Sequence, residues 1–218
     1  MRKFMLGVLL AASASLLQAA LIVDNGMPDT SQAEARGIIS FRTADDFTLA
    51  ATWNVTSVSF WMLAQPGMFN GSVSYAFYQN SGGAPGSVLD SGTVNGVTPV
   101  LQNSVPGYIY SYYTTTFALP APLQLTAGTY WLEVHHGSGL TVVESNNVYW
   151  GVVANSVPNG NARQSPVPNP PSGLTTSEMA FSLSGDRVDV VPVPEPSTYV
   201  VSAAGILLFG LLKRRKRG

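Results

Sequence analysis

The chain of 218 residues contains no cysteine. In an oxidising compartment that rules out disulfides, zinc–thiolate sites and thiol nucleophiles together. The fold must therefore rest on its own apolar core. Histidine is almost as scarce: His135 and His136 are the only two. Charge is sparse as well, at 11% of residues. Between residues 21 and 194 there is no lysine, and four arginines (Arg36, Arg42, Arg163, Arg187) face eleven acids, a formal charge of −7. An acidic, lysine-free stretch repels a phosphate backbone, which argues against a nucleic-acid partner. Between residues 37 and 191 no helical period is sustained. No internal repeat is evident.

The basic residues that the middle lacks are gathered at the ends. Arg2 and Lys3 precede an apolar run, Phe4 to Leu17, and small residues follow at Ala19 and Ala20. Charged start, apolar centre and small cleavage site are the parts of a secretory signal peptide, expected over residues 1–20. The other end opens Val193-Pro194-Glu195-Pro196, where the prolines keep the backbone extended and accessible. An uncharged run, Tyr199 to Leu212, comes next, and then Lys213-Arg214-Arg215-Lys216-Arg217. As a helix the run would be roughly 21 Å long, against roughly 30 Å of hydrocarbon. Snorkelling side chains and bilayer thinning could accommodate it, and so short a span suits a temporary stop. The basic cluster stays on the cytoplasmic side, so the domain before it is expected across the membrane.

Pro194-Glu195-Pro196, a short apolar helix and an Arg-rich terminus together closely resemble the PEP-CTERM sorting signal of Gram-negative bacteria. The signal peptide implies export through the Sec machinery and signal peptidase, and the resemblance implies an inner-membrane-anchored intermediate. It also implies processing by exosortase, a membrane-embedded cysteine protease, and a final place at the cell surface or outside the cell. On this reading Val193, Pro194, Glu195 and Pro196 are the sorting motif, and Lys213, Arg214, Arg215, Lys216 and Arg217 are the membrane stop.

The middle of the chain reads as strands. Val58, Phe60 and Met62 alternate with polar neighbours, as do Val73, Tyr75 and Phe77, and Tyr130, Leu132 and Val134. Val148, Trp150 and Val152, and Met179, Phe181 and Leu183, continue the pattern. Period two with aromatic and branched residues marks half-buried strands, and Gly/Pro/Asn turns separate them. Phe60, Tyr75, Phe77, Leu132 and Val134 are expected in the core. Residues 29–36 offer one short helical turn. Residues 157–177, rich in proline, read as a long functional or mobile loop within the domain. The expected architecture is all-β, an antiparallel jelly-roll-like sandwich over residues 21–185, and one core suffices for its size. A Pro-rich stalk (186–198), a short transmembrane helix (199–212) and a basic cytoplasmic tail (213–218) complete the chain. Ala44-Asp45-Asp46-Phe47-Thr48-Leu49, Gly82 to Leu89 and Met179 to Gly185 also resemble landmarks of PEP-CTERM ectodomains, which are similar to jelly-roll domains of secreted carbohydrate-binding proteins.

Three places could carry chemistry. Asp45 and Asp46 could hold Ca²⁺, since hard cations take carboxylate oxygens, or they could be a strand-edge pair with one acid capping a turn. Glu133 and His135 share a strand face with Trp131, and His136 falls on the Tyr130 face. The pair could chelate a metal or exchange a proton, but neither H-E-x-x-H nor G-x-S-x-G is present. The plainer reading is a solvent-facing strand, with His136 satisfied near the core. Aromatics can stack on sugars or fill a sandwich core; the set here is Trp53, Trp61, Trp131, Trp150 and the Tyr108/Tyr110/Tyr112 stripe. Opposite Tyr130 and Leu132, Trp131 is expected to be the exposed one, and with Glu133 and His135 it forms a candidate sugar platform. No cofactor is expected beyond that Ca²⁺ alternative.

The expectation is an exported, non-enzymatic surface or matrix protein that works within exopolysaccharide or a biofilm. A carbohydrate-binding module is the alternative. A secreted hydrolase ranks behind both, because no catalytic constellation can be named. Ice binding ranks there too, because no regular threonine array is present.

Overall fold

A computed structural model describes residues 19–144, 147–156 and 160–188. The strands among them are β1 (Ala20–Asp24), β2 (Ala35–Gly37), β3 (Phe41–Leu49), β4 (Trp53–Ala64), β5 (Val73–Asn80), β6 (Pro85–Val94) and β7 (Val100–Ser104). They continue with β8 (Ser111–Leu125), β9 (Gly128–His136), β10 (Val148–Gly151), β11 (Arg163–Pro166), β12 (Gly173–Leu174) and β13 (Phe181–Arg187). All the pairings are antiparallel, and two sheets pack into a β-sandwich. One sheet runs β12-β11-β3-β9-β5-β6. The other is built on β4, which pairs with β8, β13 and β10; β1, β2 and β7 extend it. Consecutive strands often belong to different sheets, so neighbours in a sheet are distant in sequence. The described residues belong to one compact unit, which ends at Val188. None forms a helix long and apolar enough to cross a membrane. The sorting motif, the apolar run, the basic cluster and residues 1–18 of the expected signal peptide lie outside the described residues.

The alternating residues form the core as their period requires. Phe60, Tyr75, Phe77, Leu132 and Val134 are all buried. Phe47 of β3 meets Phe181 of β13 edge-on, with ring centroids 6.2 Å apart, and thereby joins the sheets. Phe181 lies 5.9 Å from Trp150, whose Nε1 donates to the Ala180 carbonyl at 3.0 Å. Such T-shaped contacts add to the burial of the rings. At the β13 bulge, a Cβ on Gly185 would collide with the Asn54 carbonyl oxygen, so the close strand approach needs glycine there.

Four expectations change. Residues 29–36 make no helical turn: Asp29 Oδ1 accepts from the N–H and the hydroxyl of Ser31, and the chain enters β2. The proline-rich span 157–177 is not simply a loop, because it contributes β11 and β12, and β11 extends the sheet beside β3. The Asp45–Asp46 pair caps no turn; both residues lie within β3, and Asp45 is fully buried. Trp131, Glu133 and His135 do share a face, but that face is not solvent-exposed. Their exposures are 1%, 0% and 0%. A second layer covers them. Leu140 packs on Trp131, Ala44, Ala76 and Tyr78; the Gly137 carbonyl accepts from Ser74 Oγ; the Pro168 carbonyl accepts from Arg42; and the Arg163 guanidinium lies 6.0 Å from the Trp131 ring centre.

Candidate functional site

The ladder between β3 and β11 ends at the Arg163–Ala44 pair. Just beyond it, Asp45 and Asp46 meet Glu178. One carboxylate oxygen from each lies within 4.8 Å of the others. Two donors engage the same oxygen of Asp45: the Met179 N–H reaches Oδ2 at 2.6 Å, and Asn25 Nδ2 reaches it at 3.0 Å. Asn25 is held in turn by its N–H to the Phe181 carbonyl and its Nδ2 to the Met179 carbonyl. Asp45 Oδ1 is buried and has no hydrogen-bond partner. Glu178 Oε1 accepts the Asn161 N–H at 3.0 Å, and Asn161 Oδ1 is a second buried oxygen with no partner.

Electrostatics follow from this crowding. Burial, and then the Glu178 charge, push the Asp45 carboxyl well above its ordinary range, against the Met179 N–H, which pulls it down. Glu178 is also raised, chiefly by burial, with the Asn161 N–H opposing. Carboxylates brought together out of water disfavour a second and third negative charge. Asp46 and Glu178 are half-buried, so the cluster has a way to solvent. Its donors are all oxygen, which suits a hard cation and not zinc. Sequence reasoning found Asp45 and Asp46 because they are adjacent. Glu178 and Asn161 carry no local signal, since only the tertiary fold brings them to β3.

The face with Trp131 holds a different arrangement. Arg42 Nε bonds Glu133 Oε1 at 2.7 Å, and Arg42 Nη2 bonds Oε2 at 2.9 Å. The Tyr78 hydroxyl donates to Glu133 Oε2 and accepts from Arg42 Nη2. Burial alone would lower the Arg42 pKa, but the Glu133 carboxylate more than offsets this and raises it. Burial, reinforced by the Glu133 charge, raises the Tyr78 hydroxyl. Glu133 is thus fully engaged and does not pair with His135. Neither ring nitrogen of His135 has a partner, and burial drops its pKa to about 4. His136 points to the opposite face, stacks against Phe69 and accepts the Asn70 N–H on Nε2. The structure therefore separates the acid and the two imidazoles that the sequence sets side by side.

The other aromatics divide between core and surface. Trp150 and Tyr112 are buried, and Trp53 and Trp61 are partly so. Tyr108, Tyr110 and Tyr149 line an open cleft of about 260 Å³ with Ala33, Ala35 and Leu63. Tyr108 is 62% exposed, and Tyr110 meets Tyr149 edge-on at 5.8 Å. A second cleft, of about 300 Å³, lies between Asp90 and the Pro120-Ala121-Pro122 bulge of β8. At its wall the Tyr75 hydroxyl donates to Asp90 at 3.2 Å.

No protein-family model matches this sequence, and no curated protein matches it either.

Proposed function

We propose that the chain is an exported, non-enzymatic extracellular protein, sorted through its PEP-CTERM signal and processed by exosortase. The observation that carries this reading is positional. The last strand of the sandwich ends at Arg187, and Val193-Pro194-Glu195-Pro196 opens six residues later. A protease at the membrane would thus meet a proline-bounded segment a few residues past the last strand in sequence. The apolar run and the Lys213–Arg217 stop would hold that segment in place until cleavage. Signal peptidase and the Sec machinery act before this step, and the released or attached product works at the cell surface, in association with exopolysaccharide. The sandwich is jelly-roll-like in this proposal, as its frequent crossing between sheets suits. The engagement of Glu133 by Arg42 and Tyr78 supports a non-enzymatic role, because it removes the one acid placed beside an imidazole in sequence.

The test is made in a host with exosortase and in the same host without it. Intact mass of the exported protein should lack both Met1 and the Lys213–Arg217 cluster. Without exosortase the C-terminal cluster should persist and the protein should stay with the inner membrane. A mature product that keeps the cluster when exosortase is present would overturn the proposal.

The alternative, a carbohydrate-binding module, moves to a different place on the molecule. With Trp131 covered, an aromatic surface still open among the described residues is the Tyr108/Tyr110/Tyr149 cleft. Tyrosine rings with polar tips suit a pyranose, which has an apolar face and a hydroxylated edge. Tyr108→Ala and Tyr149→Ala should each weaken polysaccharide retention in affinity electrophoresis if the alternative holds. Unchanged migration of both variants and of the parent protein, on gels with and without polysaccharide, would discard it.

A further inference from the structure

Among the described residues, no ion pair joins an arginine to the corner formed by Asp45, Asp46 and Glu178. Arg42 is engaged by Glu133, Arg36 by Ser177 and Thr175, and Arg163 by Gly83 beside Trp131. Three carboxylates so close, with Asp45 wholly buried, repel one another unless something neutralises them. The hydrogen bonds at the corner leave a position a cation would use. Asp45 Oδ2 is saturated by Met179 and Asn25, whereas Asp45 Oδ1 is buried and unpartnered. A buried polar atom without a partner is costly and calls for an explanation.

We propose that Asp45, Asp46 and Glu178 bind one calcium ion. The spacing allows it. Oxygens on opposite sides of Ca²⁺, each about 2.4 Å from it, are about 4.8 Å apart. The three carboxylate oxygens fall inside that upper limit. Mg²⁺ is the weaker candidate, because it demands near-ideal octahedral geometry and gives up its waters reluctantly. With Asp46 and Glu178 half-buried, the ion would keep contact with water on one side and complete its shell there. Bound calcium would tie the segment carrying Asn161 and Glu178 to β3, and so would fasten β11 and β12 to the edge of their sheet. The affinity expected of such an extracellular site is on the order of 10⁻⁴ to 10⁻³ M.

The full-length chain, purified in detergent and stripped with EDTA, is titrated with CaCl₂ and separately with MgCl₂ by isothermal calorimetry, and its melting is followed in parallel. One calcium per chain should bind, and 10 mM calcium should raise the melting temperature by about 3–10 °C. Asp46→Asn and Glu178→Gln should each weaken calcium binding by about tenfold or more. Both variants should melt in EDTA at or above the parent temperature, since each removes one repelling charge. That last result separates loss of the ion from loss of the fold. Absence of calcium binding at 10 mM, calcium binding that both variants retain, or an equal response to magnesium would each overturn the proposal.

Discussion

Arg42 and Glu133 form a two-point ion pair between adjacent strands, with N···O distances of 2.7 and 2.9 Å. Both residues are buried. A buried pair of this kind is worth little net against an apolar replacement, but breaking it strands a charge. Arg42→Ala should therefore destabilise the domain by about 3–5 kcal/mol in urea unfolding, and replacing both residues, as Arg42→Met with Glu133→Leu, should recover most of the loss. A mild single variant would mean that water reaches Glu133 in solution.

Trp131 is the residue whose role the fold reverses. Its ring lies under Leu140 and Arg163, and its Nε1 donates to Asn80 at 3.0 Å. Trp131→Ala should cost about 3–5 kcal/mol of stability, as large-to-small changes at buried aromatics do. The same variant, assayed below its melting temperature, should retain any polysaccharide binding of the parent protein. An unchanged melting curve would return Trp131 to the surface.

Phe77 lies at the centre of the inner face, in contact with the rings of Phe47 and Tyr75. Phe77→Ala should lower stability by about 3–5 kcal/mol, from lost burial plus the cavity left behind. Equilibrium unfolding monitored by tryptophan fluorescence would measure it.

His135 predicts a pH dependence with a definite sign. Its folded pKa of about 4 lies below the ordinary value of 6.5. Between those values the unfolded chain binds a proton that the folded chain does not, so this contribution is complete above pH 6.5 and is lost as pH falls towards 4. His135→Asn should remove that loss, so that the parent's stability relative to the variant declines on acidification across this window. The steepest difference between the two curves should approach one proton, roughly 1.4 kcal/mol per pH unit. Parallel curves would show that the imidazole is protonated in the folded state.

The residues at the sandwich centre were legible from local alternation alone. Val73, Tyr75 and Phe77, Leu132 and Val134, and Met179, Phe181 and Leu183 fall on inward faces because successive side chains of a strand point to opposite sides. Alternation also placed Trp131, Glu133 and His135 together. It could not say that their side would be covered, because the cover comes from residues 137–144 and from the segment that holds β11, each fixed only by the packed fold. The same limit applies to the acidic corner. Asp45 and Asp46 announce themselves as neighbours, whereas Glu178 and Asn161 reach them only because the chain returns alongside β3. Sequence determines which face each strand residue takes, since that depends on the nearest bonds. Tertiary structure decides which faces meet water, because the cover comes from loops that fold back over the sheet, and which distant carboxylates must share one space, because those lie more than a hundred residues apart.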